Sequence, residues 1–145
     1  MDHNICVTIR TSFEAFYIDI GDTGLNCHEY KLEITVDGRQ RYIDNGEVIK
    51  FEDLRGLVNR VVPNKSYLTP SDIDVNESQL VSLESILTSY VRVYVVNCKK
   101  ITAETLLNAI VNKIQSILNV EYPGVTVQNA KLRENSNSFV SWELE

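Results

Sequence analysis

The chain has 145 residues, of which 43% are apolar and 23% charged, and its formal net charge is −6. This size and balance are typical of one globular domain and exclude a collagen-like or disordered chain. The acidic net charge argues against nucleic-acid binding, which usually needs a basic surface. No apolar run approaches the roughly 20 residues of a membrane span, and three cysteines without paired spacing favour a reducing compartment. We therefore expect a cytoplasmic protein with neither a nucleic-acid nor a membrane partner.

The first 40 residues predict a β-hairpin. Residues 5–10 are rich in β-branched side chains, and this strand can continue toward Ile20. Residues 28–36 place apolar side chains at every second position, and Asp37-Gly38 ends the strand. The three cysteines, Cys6, Cys27 and Cys98, are expected to be small core residues.

The remaining pattern predicts two helices and further strands. Apolar side chains have helical spacing from Phe51 until Pro63, and again from 106 to 118 after Thr102, a good N-cap. Between these helices, 78–88 is a possible helix and 90–96 has a strong strand pattern. Strands at 125–132 and 139–144 follow the second helix.

This order predicts an α+β fold. Hairpin-paired strands with helices between the pairs imply an antiparallel β-sheet with two helices on one face, in the order β-β-α-α-β-β, plus an extra middle strand. Neither a linker nor a repeat divides the chain. We expect a single domain over 1–145, with an insertion at about 70–100.

Three blocks of sequence resemble the 6-pyruvoyl-tetrahydropterin and 6-carboxytetrahydropterin synthases. Residues 28–38 are similar to the family strand H-N-Y-K-V-x-V-x-V-x-G, 45–55 to G-M-V-x-D-F-x-D-L-K, and 102–106 to T-A-E-N-L. The resemblance implies the tunnelling fold. It also implies a homo-oligomeric ring with ligand pockets between subunits.

The family's zinc ligands are mostly replaced. Its F-x-A-x-H motif corresponds to 13–17, where Tyr17 stands in place of histidine, and its H-x-H motif corresponds to Asn26, Cys27 and His28. One remaining histidine does not make a catalytic zinc site, so we expect no zinc and no other cofactor. Cys27, the middle residue, should point to the opposite face of its strand. His28 is then either a ligand-binding residue or a hydrogen-bonding residue of the strand.

The family's other functional positions are also altered. Its cysteine nucleophile falls in the stretch 20–25, which contains Asp22 but no cysteine, and its Asp-His pair reads Asn64-Lys65. The glutamate that holds the pterin's guanidine-like edge aligns with Asn129, with Gln128 or Glu134 as alternatives if the register slips. Glu104, in the third block, is a ligand-binding candidate or simply a carboxylate that the helix dipole favours.

We therefore expect a non-catalytic relative of these synthases. It would bind, and so sequester, a pterin-, purine- or nucleotide-like molecule at subunit interfaces through Tyr17, Asn26, His28, Gln128, Asn129 and Glu104. One alternative is an active lyase of the 6-carboxytetrahydropterin synthase type with a rearranged site, formed by Tyr17, Asp22, His28 and Lys65. Another is a scaffold whose added segment binds a different protein.

Overall fold

A long antiparallel pair of strands, β1 (Cys6–Asp19) and β2 (Gly24–Asp37), forms the centre of the fold. The computed structural model describes residues 5–19, 24–38, 48–72, 92–135 and 137–145. The further elements are α1 (Phe51–Val61), β3 (Ser66–Pro70), β4 (Arg92–Val96), α2 (Ala103–Glu121), β5 (Thr126–Asn135) and β6 (Ser138–Glu143). For the residues that the structure describes, the prediction of an α+β fold with two helices is confirmed.

The six strands of the described ranges belong to one sheet, in the spatial order β4-β3-β1-β2-β5-β6. The pairs β1–β2, β2–β5 and β5–β6 are antiparallel, whereas β3 is parallel to both β1 and β4. The sequence did not predict β3. Its first four residues are all buried, so it lacks the alternation by which a half-exposed strand is recognised.

Buried and exposed side chains alternate along β1 and β2, and the buried ones form the core face of the sheet. Positions such as Ile9 and Phe13 on β1 are buried together with Leu32 and Ile34 on β2. Both helices pack on this face, and α2 buries six apolar side chains: Leu106, Leu107, Ile110, Val111, Ile114 and Leu118. Burying each such side chain stabilises the fold by about 1.5–3 kcal/mol, so this stripe is a major source of stability.

The helix ends follow from local chemistry. Thr102 caps α2 through a reciprocal pair of hydrogen bonds: its hydroxyl accepts from the Thr105 N–H at 3.1 Å, and the Thr105 hydroxyl accepts from the Thr102 N–H at 2.9 Å. Helix α1 has no side-chain cap, and its first turn carries Glu52 and Asp53, which suit the helix dipole.

Several sequence expectations need correction or lie outside the described residues. Cys6 and Cys27 are exposed and Cys98 is half-buried, so the prediction of three core cysteines is wrong. The strand predicted at 90–96 is confirmed as β4 from Arg92 onward, and the helix predicted at 78–88 lies outside the described residues. Within the residues that the structure describes, no helix is long and apolar enough to cross a membrane.

Candidate functional site

The distal end of the β1–β2 pair brings three of the predicted residues together. Tyr17 lies directly opposite Asn26, and His28 lies opposite Ala15, two residues before Tyr17. The rings of Tyr17 and His28 are 6.2 Å apart between centroids. Residues two apart on a strand share a face, so Tyr17, Asn26 and His28 form one cluster on the core side of the sheet.

Two aromatic rings continue this cluster toward the core. Tyr30 lies at 5.7 Å from His28 with its ring edge-on, and Phe13 stacks on Tyr30 at 5.1 Å. Tyr30 and Phe13 are almost completely buried. The Tyr30 and Phe13 rings therefore form an apolar base behind the half-buried side chains of Tyr17 and His28.

Glu134 supplies a carboxylate near the Tyr30 end of this aromatic cluster. It follows Arg133, which pairs with Lys31, so it stands across the β2–β5 pair from Tyr30. Burial raises the pKa of Tyr30, and the nearby charge of Glu134 raises it further. Tyr30 is consequently a neutral phenol, able to donate a hydrogen bond, throughout the physiological pH range.

The local geometry of β5 favours a functional role for Glu134. The β5–β6 register shifts between Arg133 and Asn135, so Glu134 lies at a bulge. Bulges re-aim side chains and are frequent beside active sites. Glu134 is half-buried, and the neighbouring cavity of about 860 Å³ is lined by Lys31 and Arg133, whose exposed side chains lie on the face of the sheet opposite to His28 and Tyr30.

The other two candidates for the pterin anchor lie elsewhere in the same chain. Asn129 pairs with Thr35, which is about 23 Å further along β2 than His28 at roughly 3.3 Å per residue. Gln128 precedes it at a register shift, and its carbonyl accepts a hydrogen bond from the Leu144 N–H at 2.9 Å. One chain therefore does not bring Gln128 or Asn129 to the His28 cluster.

Asn64 and Lys65 lie beside β1, next to the cluster. The Asn64 side-chain oxygen accepts from the Glu14 N–H at 3.1 Å, and the Lys65 N–H donates to the Glu14 carbonyl at 2.6 Å. The next residue, Ser66, pairs with Ala15, which in turn pairs with His28. Two strand spacings of about 5 Å separate Ser66 from His28, so Lys65 precedes a residue that lies roughly 10 Å from His28.

Backbone strain marks the same turn. Lys65 has a φ of 53°, in the left-handed region that residues other than glycine rarely adopt. Such strain often occurs at functional sites. Of the remaining predicted residues, Glu104 lies exposed in the first turn of α2, and Asp22 lies outside the described residues.

The donor atoms at the family's zinc position do not fit a zinc ion. Zinc in proteins is held by cysteine, histidine, aspartate or glutamate, and this cluster offers one imidazole, a phenol and a carboxamide. Cys27 cannot complete the set because it pairs with Phe16 on the opposite face of the hairpin. Across the described ranges, no three His, Cys, Asp or Glu side chains lie close enough to hold a metal ion together.

Comparison with known proteins agrees with this arrangement of elements. A family model described as 6-pyruvoyl tetrahydropterin synthase matches residues 22–145. The chain belongs to the 6-pyruvoyl tetrahydropterin synthase family. No curated protein sequence matches it.

Three solved structures, two of them 6-pyruvoyl tetrahydropterin synthases, share the fold at low sequence identity. The 6-pyruvoyl tetrahydropterin synthase of Plasmodium vivax has a TM-score of 0.64 at 14% identity, over 97% of this chain and 98% of that one. The enzyme from Caenorhabditis elegans has a TM-score of 0.65 at 10% identity, over 99% and 97%. An uncharacterized protein from Wolinella succinogenes has a TM-score of 0.74 at 15% identity, over 99% and 100%.

The sequence contained a signal that favours Glu134 over Asn129 as the family's anchoring glutamate. Glu134 is the only acidic residue in the ten residues of β5. A guanidine-like edge presents two N–H donors, for which a carboxylate is the matching acceptor. The need for a carboxylate therefore favours Glu134 as the anchor, whereas the register of the sequence alignment favoured Asn129.

Proposed function

We propose that this protein is a zinc-independent, non-catalytic member of the 6-pyruvoyl tetrahydropterin synthase family that binds a planar heterocycle with a guanidine-like edge. Pterins and guanine-type purines or nucleotides form this ligand class. The observation that carries the proposal is the position of Glu134 beside the aromatic cluster of Tyr17, His28 and Tyr30.

Recognition of the ligand would combine a charged pair of hydrogen bonds with ring stacking. The Glu134 carboxylate accepts from the ring N–H and the exocyclic amino group of the heterocycle, and such charge-assisted pairs are about twice as strong as neutral ones. The half-buried rings of Tyr17 and His28 offer faces for stacking. Asn26, opposite Tyr17, adds an amide that can donate to a ring oxygen or nitrogen.

Loss of the reaction follows from the same side chains. Tyr17 and Asn26 at the zinc positions leave the substrate's oxygen without a metal to polarise it. Asn64 and Lys65 stand where the family has an Asp-His pair, so no imidazole near neutral pKa moves protons there. A ligand that binds in this site is held unchanged, which amounts to sequestration.

We further propose that the site is completed by a second copy of the chain in a homo-oligomeric ring. Glu134 and the Tyr17–His28 rings lie at the end of the sheet. Exposed apolar side chains on the edge strands, Val93 and Val95 on β4 and Phe139 on β6, suit contact with another subunit.

The test compares two ligands that differ at the guanidine-like edge. Pterin has an amino group where lumazine has a carbonyl oxygen, so only pterin offers both donors to Glu134. Titration calorimetry of the purified protein in EDTA should give at least about tenfold tighter binding of pterin, the expected effect of one charge-assisted hydrogen bond. Guanosine and xanthosine form an equivalent pair. Equal binding of both members of each pair, or no binding of any, would contradict the proposal.

Turnover separates this proposal from the active-lyase alternative. 7,8-Dihydroneopterin triphosphate, incubated with the protein and added zinc, should be recovered unchanged. Release of triphosphate that chelators abolish would instead establish a rearranged synthase site.

A further inference from the structure

A second cavity, of about 700 Å³, lies between the two helices and the β3–β4 edge of the sheet. The last turn of α1 and the residues after it form one wall, the middle of α2 forms another, and β4 forms the third. This volume is within the range of small-molecule sites, about 300–1,000 Å³. The cavity shares no described lining residue with the Tyr17–Glu134 region.

The cavity is cationic in a chain whose net charge is negative. Arg60, Arg92 and Lys113 line it, and its described lining contains no carboxylate. The Arg60 guanidinium bonds Glu121 at 2.8 Å, so this cation already has a partner. Within the described part of the chain, neither Arg92 nor Lys113 forms an ion pair. Two cations are therefore available to a bound anion.

Tyr94 contacts one of these cations through its ring and, among the described residues, has an unpaired hydroxyl. The Lys113 ammonium lies 3.6 Å from the centroid of the Tyr94 ring. The Tyr94 hydroxyl oxygen is buried without a hydrogen-bond partner in the described structure. The Tyr94 ring therefore holds the Lys113 ammonium at the cavity wall, whereas its hydroxyl is turned away from solvent.

The other residues that line the cavity indicate the chemistry of the uncharged part of the ligand. Val61, Val62, Pro63, Val93 and Ile117 provide apolar surface, and Asn112 and Ser116 add polar groups on α2. Arg and Lys are the side chains that most often bind phosphate. We propose that this cavity binds a phosphorylated small molecule, with its phosphate on Arg92 and Lys113 and its apolar body against the valines and Pro63.

Phenyl phosphate is the probe, because it joins a phosphate to a compact apolar body. Titration calorimetry should show saturable binding that weakens as salt increases. Phenol, which lacks the anion, should bind far more weakly, and inorganic phosphate, which lacks the apolar body, should bind several-fold more weakly. Absence of saturable binding of phenyl phosphate would overturn the proposal.

Single substitutions locate the binding. Arg92→Gln and Lys113→Gln should each weaken binding of phenyl phosphate by at least about tenfold, the expected loss for one charged hydrogen bond. Lys131→Gln is the matched control, since it removes a cation from exposed β5 without touching this cavity. Wild-type affinity in both Arg92→Gln and Lys113→Gln would also overturn the proposal.

Tyr94→Phe tests the hydroxyl without a loss of charge or volume. It should fold with unchanged or greater stability, because it removes an orphaned polar group, and it should keep the wild-type affinity for phenyl phosphate, because the ring that contacts Lys113 remains. Glu134→Gln should bind phenyl phosphate as the wild type does, so failure at one site is distinguishable from failure at the other.

Discussion

Tyr17 and Asn26 face each other across the β1–β2 pair, and the Tyr17 ring lies 6.2 Å from that of His28. The hairpin thus places Tyr17, Asn26 and His28 on one face, at the positions that the resemblance assigns to three zinc ligands, and neither a phenol nor a carboxamide is a usual zinc ligand. The departure from the family is one of side-chain chemistry rather than of fold.

Restoring the two histidines should therefore restore metal binding. The double variant Tyr17→His/Asn26→His, with native His28, presents three imidazoles on one face, and we expect it to retain about one zinc ion per subunit. The control, Tyr17→His/Cys27→His, has the same number of histidines, but position 27 points to the opposite face. Elemental analysis after dialysis measures the zinc. Stoichiometric zinc in the wild type, or none in the Tyr17→His/Asn26→His variant, would contradict the description of the site.

The strained turn at Lys65 predicts an unusual gain of stability. At a φ of 53°, glycine avoids the steric cost of the left-handed conformation, about 1–2 kcal/mol, but gains entropy in the unfolded chain. We expect Lys65→Gly to raise the free energy of unfolding by about 1 kcal/mol in urea titrations. Lys65→Ala, which keeps the strain, should show no such gain. A loss of stability in Lys65→Gly would mean that the turn is not strained.

Removing the N-cap of α2 should lower the free energy of unfolding by about as much as Lys65→Gly raises it. Thr102→Ala removes the oxygen that accepts from the Thr105 N–H, which should lower the free energy of unfolding by about 1 kcal/mol. Thr102→Ser keeps that oxygen and should remain close to the wild type. Urea denaturation followed by circular dichroism distinguishes the two variants, and equal loss in both would implicate the methyl group instead of the cap.

Alkaline pH should weaken the fold through its buried tyrosines. Burial raises the pKa of Tyr94 to about 12 from its ordinary value of 10, so the folded state binds this proton more tightly than the unfolded state does. The corresponding stability is fully present below pH 10 and is lost as the pH rises toward 12. Denaturation at pH 9–12 should show this decline, and it should be shallower in Tyr94→Phe. An identical slope in both proteins would exclude Tyr94 as a source.

The sequence predicted the long elements well, because each has a strong repeating pattern. The alternation in β2 and the broad apolar stripe of α2 depend on local periodicity, and the structure confirms both. β3 was missed because a strand buried on both faces does not alternate, and its parallel partners are distant in sequence.

The candidate site could be predicted only in part, for a related reason. The pairing of Tyr17 with Asn26 follows from hairpin register, which local sequence fixes. The position of Glu134 depends on register shifts on both sides of β5, between Thr35 and Val36 and between Arg133 and Asn135. Such shifts leave no periodic signal, so the sequence could not choose between Asn129 and Glu134 by spacing. The cavity at Tyr94 joins four separate segments and could not be predicted at all.

The most direct test of the central proposal is the affinity of pterin and lumazine for Glu134→Gln, measured by titration calorimetry in EDTA. Glutamine keeps the size of the side chain but loses its charge and one acceptor, so the preference for pterin should fall from at least about tenfold to near unity. Glu143→Gln, on neighbouring β6, is the control and should keep the wild-type preference. Unchanged discrimination in Glu134→Gln would contradict the account, because the ligand's guanidine-like edge would then be held by another residue.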